Sequence, residues 1–309
     1  MTTAETARPD VLRAYDVCEQ ITREQARNFS YGIRLLPVEK RRALSAVYAT
    51  ARRIDDLGDG DLPDAEKVAG LEAVRGALAD LDGIDHDAVL VALRDVRQRF
   101  PVPMSAFGEL VDGCLADVTV HRYVTFEDLL GYCRCVAGSV GRLSVGIYRP
   151  AGLAPGGDRA AVEAAPEDSD DTWVLADSLG VALQLTNILR DVREDRLIGR
   201  VYLPAEDLER FGCTLELDAA GRLADPPERF AALVRYEAER AEQWYQRGLR
   251  LLPRLDRRSS ACTAAMAGIY HRLLGRIAAD PDQIRAGRLS LPSATKLGVA
   301  ARALLRGSA

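Results

Sequence analysis

The chain has 309 residues, of which 48% are hydrophobic and 28% charged, so it is long enough to bury a substantial core. Its net charge of −5 gives no electrostatic footprint for nucleic acid, and no nucleic-acid partner is expected. The N-terminus lacks the basic patch and apolar core of a secretory peptide, and no apolar run approaches the roughly 18 to 20 residues that span a bilayer. We therefore expect a cytoplasmic protein whose membrane contact is at most peripheral.

Hydrophobic residues recur with a helical period over most of the chain, and strand-like alternation is almost absent. This pattern predicts an all-α fold in a single domain over 1–309. Prolines, glycines and Asp or Thr caps delimit the helices. In chain order we predict helices over 9–29, 37–59, 64–81, 87–100, 104–117, 125–148, 171–195, 226–252, 257–279 and 292–306. Residues 151–171 shift toward Gly, Ala, Pro and acids, which predicts a mobile surface loop between two helices.

The predicted helix over 37–59 ends in three acids. Asp55 and Asp59 are spaced i,i+4 and share one face, whereas Asp56 points about 100° away. Like charges at this spacing destabilise a helix by about 0.2–0.5 kcal/mol. Two interpretations stay open at this point: a metal-binding face, or a frayed helix end before the loop GDGDLPD.

The predicted helix over 171–195 is apolar on most faces but has a polar stripe along one side. The stripe follows i, i+3, i+7 and i+11 and consists of Gln184, Asn187, Asp191 and Asp195. Burying carboxylates without partners costs several kcal/mol each, so positive charge must meet them. Arg190 and Arg193 allow an ordinary buried salt-bridge network. The alternative is Mg²⁺, which favours oxygen ligands and would bind a diphosphate and assist its departure.

Cysteines and histidines form no site of their own. The close pair Cys133 and Cys135 projects to different sides of a helix, and the six cysteines are predicted to be small core residues. His86, His121 and His271 are isolated, so neither a zinc site nor a histidine-based triad has its parts.

Four sequence blocks resemble the squalene and phytoene synthase family. RRIDDLGD and QLTNILRDVREDRLIGRVYLP are similar to its two aspartate-rich motifs, and NFSYGIRLLP and YCRCVAGSVGRLS to its other conserved blocks. The resemblance covers about residues 22 to 300. FSYGIRLLPVEKRRA, VREDRLIGRVYLPAEDL and AAMAGIYHRLL look closest to the hopanoid-pathway presqualene diphosphate synthases, the HpnD type.

The resemblance implies an isoprenoid-synthase-type helical bundle around a central channel, with the two motifs facing each other and several Mg²⁺ ions bound. The implied metal site consists of Asp55, Asp56, Asp59, Asn187, Asp191 and Asp195. The implied diphosphate contacts are Arg52, Arg190 and Arg288. Further implied substrate-binding or channel positions are Asn28, Phe29, Tyr48, Asp117, Tyr132, Gln184 and Tyr270, of which Tyr48 and Tyr270 join the aspartates as catalytic candidates.

The implied reaction joins two farnesyl diphosphates and closes a cyclopropane, giving presqualene diphosphate for hopanoid or squalene biosynthesis. NADPH is not expected, because nothing resembles a G-x-G-x-x-G loop and this product needs no reduction. Ile33 and Ser45 stand where some farnesyl-specific relatives have bulky aromatic residues, which leaves a longer substrate open.

Other interpretations are squalene synthase, phytoene synthase acting on geranylgeranyl diphosphate, a cyclase or aromatic prenyltransferase on the same scaffold, and a non-catalytic binding or assembly protein. Downstream pathway enzymes are further expected partners. The tail KLGVAARALLRG mixes basic and apolar residues, and its pattern favours core packing of a terminal helix over a lipid contact.

Overall fold

The computed structural model describes residues 9–26, 29–120, 122–166 and 168–306. Within these ranges the chain folds into α-helices, a π-helical turn at Arg134–Gly138 and 3₁₀ helices at Leu81–Gly83 and Leu249–Arg254. The same ranges contain no β-strand, only isolated bridges between Arg122 and Val201 and between Leu217 and Leu223. The all-α prediction is confirmed.

The long helices match the predicted ones, with ends shifted by a few residues. In chain order the α-helices are α1 (Pro9–Gln25), α2 (Ser30–Ile33), α3 (Val38–Asp59), α4 (Asp64–Ala79), α5 (Ala88–Arg99), α6 (Ser105–Thr119), α7 (Phe126–Cys133), α8 (Ser139–Tyr148), α9 (Arg159–Glu163), α10 (Thr172–Leu197), α11 (Ala205–Phe211), α12 (Pro227–Gly248), α13 (Arg257–Ala279), α14 (Gln283–Ala286) and α15 (Ser293–Arg306). The sequence pattern misses α2, α9, α11 and α14, because such short helices hold too few residues to show a period.

Helix α10 lies in the middle of the bundle, which explains why most of its faces are apolar. It packs against α7, α8, α12, α13 and the π turn. Asp171 caps its N-terminus by accepting hydrogen bonds from the backbone N–H groups of Trp173 at 2.8 Å and Val174 at 3.4 Å. A Cβ at Gly180 would lie 2.2 Å from the Ala137 carbonyl oxygen, so only glycine lets α10 cross the π turn this closely.

Helix α8 packs against both α3 and α10 and therefore sets the separation between the two helices that bear the acidic clusters. One hydrophobic core extends from Ala14 on α1 to Val299 on α15. All six cysteines are buried and unpaired, as the sequence predicts. Among the described helices, none combines the length and apolar character needed to cross a bilayer.

The segment over 151–171 differs from the predicted mobile loop. It contains α9, and Val162 of this helix is buried. The buried Arg142 donates a hydrogen bond to the Gly157 carbonyl oxygen at 2.6 Å, and Arg134 forms an ion pair with Glu163 at 3.5 Å. A short helix and buried side chains thus attach the described part of the segment to the bundle.

Candidate active site

The first acidic cluster occupies the last turn of α3. Arg52, one turn earlier, contacts Asp55 at 3.0 Å and Asp56 at 2.5 Å. Both carboxylates are about half-exposed, at 49% and 48%. Burial of its inner edge and the neighbouring Asp59 raise the pKa of Asp55 to about 6. The three acids hold more negative charge than Arg52 neutralises, and the cluster favours an added cation.

The second cluster lies on α10 and is more deeply buried. Asp191 is 19% exposed and accepts hydrogen bonds from both Arg190 and Arg288, the latter at 2.7 Å from Nε to Oδ1. Asp195 is one turn further along the same face. Burial, together with the nearby charge of Asp191, raises the pKa of Asp195 to about 7. Within the predicted stripe, arginines therefore neutralise Asp191, whereas Asp195 lacks a direct ion pair in the part of the chain that the structure describes.

The amide positions of the stripe lie beside these acids. Asn187 donates a hydrogen bond from Nδ2 to Gln184 Oε1 at 3.4 Å. The Asn187 Oδ1 atom is buried and has no hydrogen-bond partner within the described part of the chain. A buried carbonyl oxygen without a donor is costly, so this atom is oriented for a ligand that approaches α10.

Arg200 connects the two clusters. It follows α10 after a tight turn in which Gly199 adopts a φ of +83°, and its backbone N–H returns to the Asp195 carbonyl oxygen at 2.9 Å. Its guanidinium contacts Asp59 on α3 at 2.9 Å. Asp117 on α6 lies close enough to Asp55 and Asp195 to raise the pKa of each. The two acidic clusters therefore lie at the same end of the bundle.

Three tyrosine rings form a wall beside Asp117. Its carboxylate accepts hydrogen bonds from the hydroxyls of Tyr202 at 2.7 Å and Tyr132 at 2.9 Å. The rings of these two residues stack with centroids 5.2 Å apart, and Tyr123 lies 5.4 Å from Tyr132. The Tyr123 hydroxyl is buried without a partner among the described residues. The predicted positions Asp117 and Tyr132 are thus in direct contact.

A second aromatic group lies between the arginines of the two clusters. The rings of Phe29 and Tyr270 have centroids 5.9 Å apart. Tyr270 is buried and lies next to Arg190, while Tyr48 lies near Arg52 and Tyr270, and burial raises the pKa of Tyr48. This arrangement places aromatic rings next to Arg52 and Arg190, the arginines of the two clusters.

Comparison with known proteins agrees with this architecture. A family model described as squalene/phytoene synthase matches residues 22–295. The phytoene synthase of Mycobacterium tuberculosis is 49% identical over 295 residues, covering 96% of this chain and 92% of the relative. The chain belongs to the squalene/phytoene synthase family.

Other similar proteins include the 15-cis-phytoene synthase of Synechocystis, which is 36% identical and aligns over 93% of this chain and 83% of its own length. A crystal structure of a dehydrosqualene synthase with a bound ligand aligns at 28% identity with a TM-score of 0.78, covering 96% of this chain and 97% of that one. The squalene synthase HpnC from Alicyclobacillus acidocaldarius aligns at 28% identity with a TM-score of 0.74, covering 87% and 95%.

Members of the squalene/phytoene synthase family are prenyltransferases that condense prenyl diphosphates head to head, so this protein is a prenyltransferase. The family generally uses a divalent metal to bind the diphosphates. In the described residues no three acid, histidine or cysteine side chains converge tightly enough to hold an ion by themselves. The donor set nevertheless fits Mg²⁺, because that ion takes one or two carboxylates together with waters and phosphate oxygens. The unpartnered Asn187 Oδ1 and the raised pKa of Asp195 fit the same ion.

The structure gathers nearly all the residues that the squalene/phytoene synthase resemblance implies. Asp55, Asp56, Asp59, Asn187, Asp191 and Asp195 lie with Arg52, Arg190, Gln184 and Arg288 at the two clusters, and Phe29, Tyr48, Asp117, Tyr132 and Tyr270 lie in the two aromatic groups. Asn28 lies outside the described residues. The sequence prediction misses Arg200, Tyr202 and Tyr123. Arg200 and Tyr202 belong to the segment RVYLP, which ends the second aspartate-rich motif. This segment is the signal that could have identified them.

Proposed function

We propose that the protein joins two geranylgeranyl diphosphates head to head and forms phytoene, a C40 polyene. The longer chain is supported by a cavity of about 280 Å³ between α1, α2 and α3. The buried residues Ile33 and Ser45 line it, and the rest of its lining is polar, with Glu19, Thr22, Arg23, Ser30, Arg34 and Arg41. Ser45 precedes Asp55 by ten residues on α3, which corresponds to about 15 Å along a helix. In the proposed binding mode, the diphosphate is held at the acids and the far end of a C20 chain reaches Ile33 and Ser45, neither of which has a bulky side chain.

The comparisons support the same chain length. Ile33 and Ser45 are smaller than the aromatic residues found there in some farnesyl-specific relatives. The mycobacterial and Synechocystis relatives, 49% and 36% identical, are both named as phytoene synthases. Because both alignments cover more than nine-tenths of this chain, the likeness extends over the cavity as well as the acids.

The first step of the proposed reaction breaks the allylic C–O bond of one substrate, and the bonding electrons leave with the diphosphate. Arg52, Arg190 and Arg288 surround the acids and hold the departing anion by charge-assisted hydrogen bonds. Mg²⁺ bound at the aspartates would neutralise the charge that develops on the diphosphate. The acids on α3 and α10 therefore act on the diphosphate rather than on carbon.

The second step joins the two chains. The C2–C3 double bond of the other substrate attacks the allylic cation, and loss of a proton closes a cyclopropane. The ring faces of Phe29, Tyr48 and Tyr270 stabilise positive charge through their quadrupoles and exclude water that would trap the cation. A second ionisation, rearrangement and proton loss give the polyene. Two diphosphates and two protons leave, so no reductant is required.

A second candidate is the condensation of two farnesyl diphosphates to presqualene diphosphate. It is favoured by the sequence blocks that look closest to presqualene diphosphate synthases, and by a fold shared at TM-score 0.78 with a dehydrosqualene synthase. The two candidates use the same acids and arginines. They differ in the chain that the cavity at Ile33 and Ser45 accepts and in whether the reaction stops at the cyclopropyl diphosphate.

The deciding experiment incubates the purified protein and Mg²⁺ with farnesyl or geranylgeranyl diphosphate, with and without NADPH, and identifies products by mass spectrometry. We expect a C40 polyene from the longer substrate without NADPH. A C30 cyclopropyl diphosphate, formed from the shorter substrate in preference to any C40 product, would support the second candidate.

Ile33→Phe and Ser45→Phe should shift the preference toward farnesyl diphosphate by about tenfold, since each fills the cavity. Val38→Phe, at an exposed position of α3, the helix that contains Ser45, is the matched control.

A further inference from the structure

Helix α15 leaves an apolar face uncovered. Its inner face packs through Ala300 and Ala303 against Tyr31 and Leu35, next to α2. On the opposite side Leu297 is 56% exposed and Leu305 is 71% exposed. These two leucines are eight residues apart, with the exposed Ala301 midway, so they form a straight stripe along the helix. An exposed apolar stripe of this kind marks a surface that contacts a partner.

The charge around the stripe is uniformly positive. Helix α15 has three basic residues, Lys296, Arg302 and Arg306, and no acid, although the whole protein has a net charge of −5. Arg302 borders the leucine stripe, whereas Lys296 lies on the row of Ala300 and Ala303, and neither has a carboxylate partner among the described residues. The region thus combines exposed leucines with uncompensated cations.

The neighbouring elements extend this positive region. Arg34, at the end of α2, is exposed and lies next to Leu35, on which α15 packs. Arg258 at the start of α13 reaches the Leu35 carbonyl oxygen at 3.5 Å. The nearby acids Glu39 and Asp256 are already paired with Arg99 and Lys40, both at 2.6 Å. The described acids of this region therefore leave its positive charge uncompensated.

We propose that the outer face of α15 docks on the surface of an anionic lipid bilayer. Exposed leucines with cations such as Arg302 and Arg34 beside them are the pattern of a helix that lies in the interface, with its apolar side in the acyl region and the charges at the phosphates. A second copy of the chain would bring like charges together, which argues against self-association through this face. The acidic end of the bundle, with its own exposed Val124 and Ile198, has the wrong charge for anionic lipid.

The placement of α15 suits a prenyltransferase whose substrates and products have hydrophobic prenyl chains. Arg288, which contacts Asp191, precedes the first residue of α15 by five positions. Docking of the helix would therefore hold the active site close to the bilayer without inserting the acids into it. The inference does not depend on which prenyl diphosphate is used, and its test has no catalytic readout.

The test is co-sedimentation of the full chain with vesicles of phosphatidylcholine, with and without phosphatidylglycerol. We expect binding to the anionic vesicles that weakens as salt is raised. Leu297→Gln with Leu305→Gln should reduce the bound fraction about tenfold or more, because each leucine loses its burial in the acyl region. Arg302→Gln and Arg34→Gln, both at exposed positions, should each reduce anionic binding about fivefold. Val124→Gln with Ile198→Gln is the control at exposed apolar positions outside α15 and should bind like wild type.

Circular dichroism and the melting temperature establish that each variant is folded. Should the leucine variant fail to fold, the two charge variants decide the question by themselves. Absence of vesicle binding, binding that the leucine and charge variants leave unchanged, or binding that only the Val124 and Ile198 control removes would each overturn the proposal. So would a dimer that the leucine variant dissociates in the absence of any vesicle binding, because a second copy would then cover the face.

Discussion

The two acidic clusters look alike in sequence but differ in how the protein holds them. On α3, Asp55 and Asp56 share one arginine of their own helix, and all three side chains are between 40% and 49% exposed. On α10, Asp191 is 19% exposed and contacts two arginines, one of which comes from 97 residues further along the chain. Exposed ion pairs contribute about 0–1 kcal/mol, whereas buried ones are strongly coupled to the fold. The comparison teaches that only the second cluster combines its chemistry with a structural role.

The largest expected effect tests this difference directly. Asp56→Asn and Asp191→Asn should each lower turnover by about 10² to 10³-fold, because each removes a carboxylate that would hold the Mg²⁺ needed to neutralise the departing diphosphate. Only Asp191→Asn should also lower the stability, by about 3 kcal/mol, since it leaves Arg190 buried and unpaired. Steady-state kinetics and chemical denaturation of both variants provide the measurement.

Asp61→Asn is the matched control for these variants, because Asp61 is an exposed acid of the loop that follows α3. It should change neither turnover nor stability. Equal destabilisation by Asp56→Asn and Asp191→Asn would contradict the distinction between the clusters, and full activity in both would contradict the metal site.

The next effect concerns the connection between the clusters. Arg200→Gln removes the contact with Asp59 and the positive charge beside Asp117. We expect kcat/KM to fall by about 10 to 10²-fold, which is the scale of a small misplacement of catalytic groups. The Mg²⁺ concentration needed for half-maximal rate should change as well, because the acids lose a fixed cation.

Arg196→Gln is the control for this prediction. Arg196 lies in the last turn of α10 and donates to the Leu215 carbonyl oxygen at 3.0 Å rather than to an acid of either cluster. If both variants have the same kinetics and the same Mg²⁺ dependence, Arg200 does not couple the clusters.

Much of the fold and the core of the site could be predicted from sequence. The stripe Gln184, Asn187, Asp191 and Asp195 follows from helical geometry alone, because all four residues lie within the continuous helix α10. The shared face of Asp55 and Asp59 on α3 follows from the same helical geometry. Local periodicity therefore locates acids that share one helix, and the family resemblance indicates which ones face each other.

The contacts that come from outside a helix could not be predicted in the same way. Arg200 reaches Asp59 only because the chain reverses at Gly199, where the helical period ends. Tyr123 is followed by the exposed Val124 and so looks like part of a surface connection, yet it packs against Tyr132 because the Arg122–Val201 bridge fixes its backbone. The π turn after α7 is equally hidden, because its residues keep a helical composition.

A third acidic set, separate from the two clusters, supplies a structural reference for the comparison and the smallest expected effect on turnover. Glu237 on α12 and Asp207 on α11 both accept hydrogen bonds from Arg240, at 2.9 and 2.8 Å. Burial, with the adjacent Asp207, raises the pKa of Glu237 to about 8. The stability that this protonated carboxyl contributes is therefore complete below the unfolded-state pKa of about 4.3 and is lost as pH rises through about 8.

Glu237→Gln keeps the neutral form at every pH. It should raise the free energy of unfolding relative to wild type by roughly 3 to 4 kcal/mol more at pH 8 than at pH 5, and leave turnover within about twofold of wild type. Thermal unfolding across this pH range measures the effect, and Glu239→Gln, at an exposed position of α12, is the control. A loss of activity comparable to that of Asp56→Asn would show that buried acids far from the diphosphate also take part in the reaction. Unaltered pH dependence of stability would instead show that Arg240 keeps Glu237 ionised, so that this set would resemble Asp191 rather than Asp195.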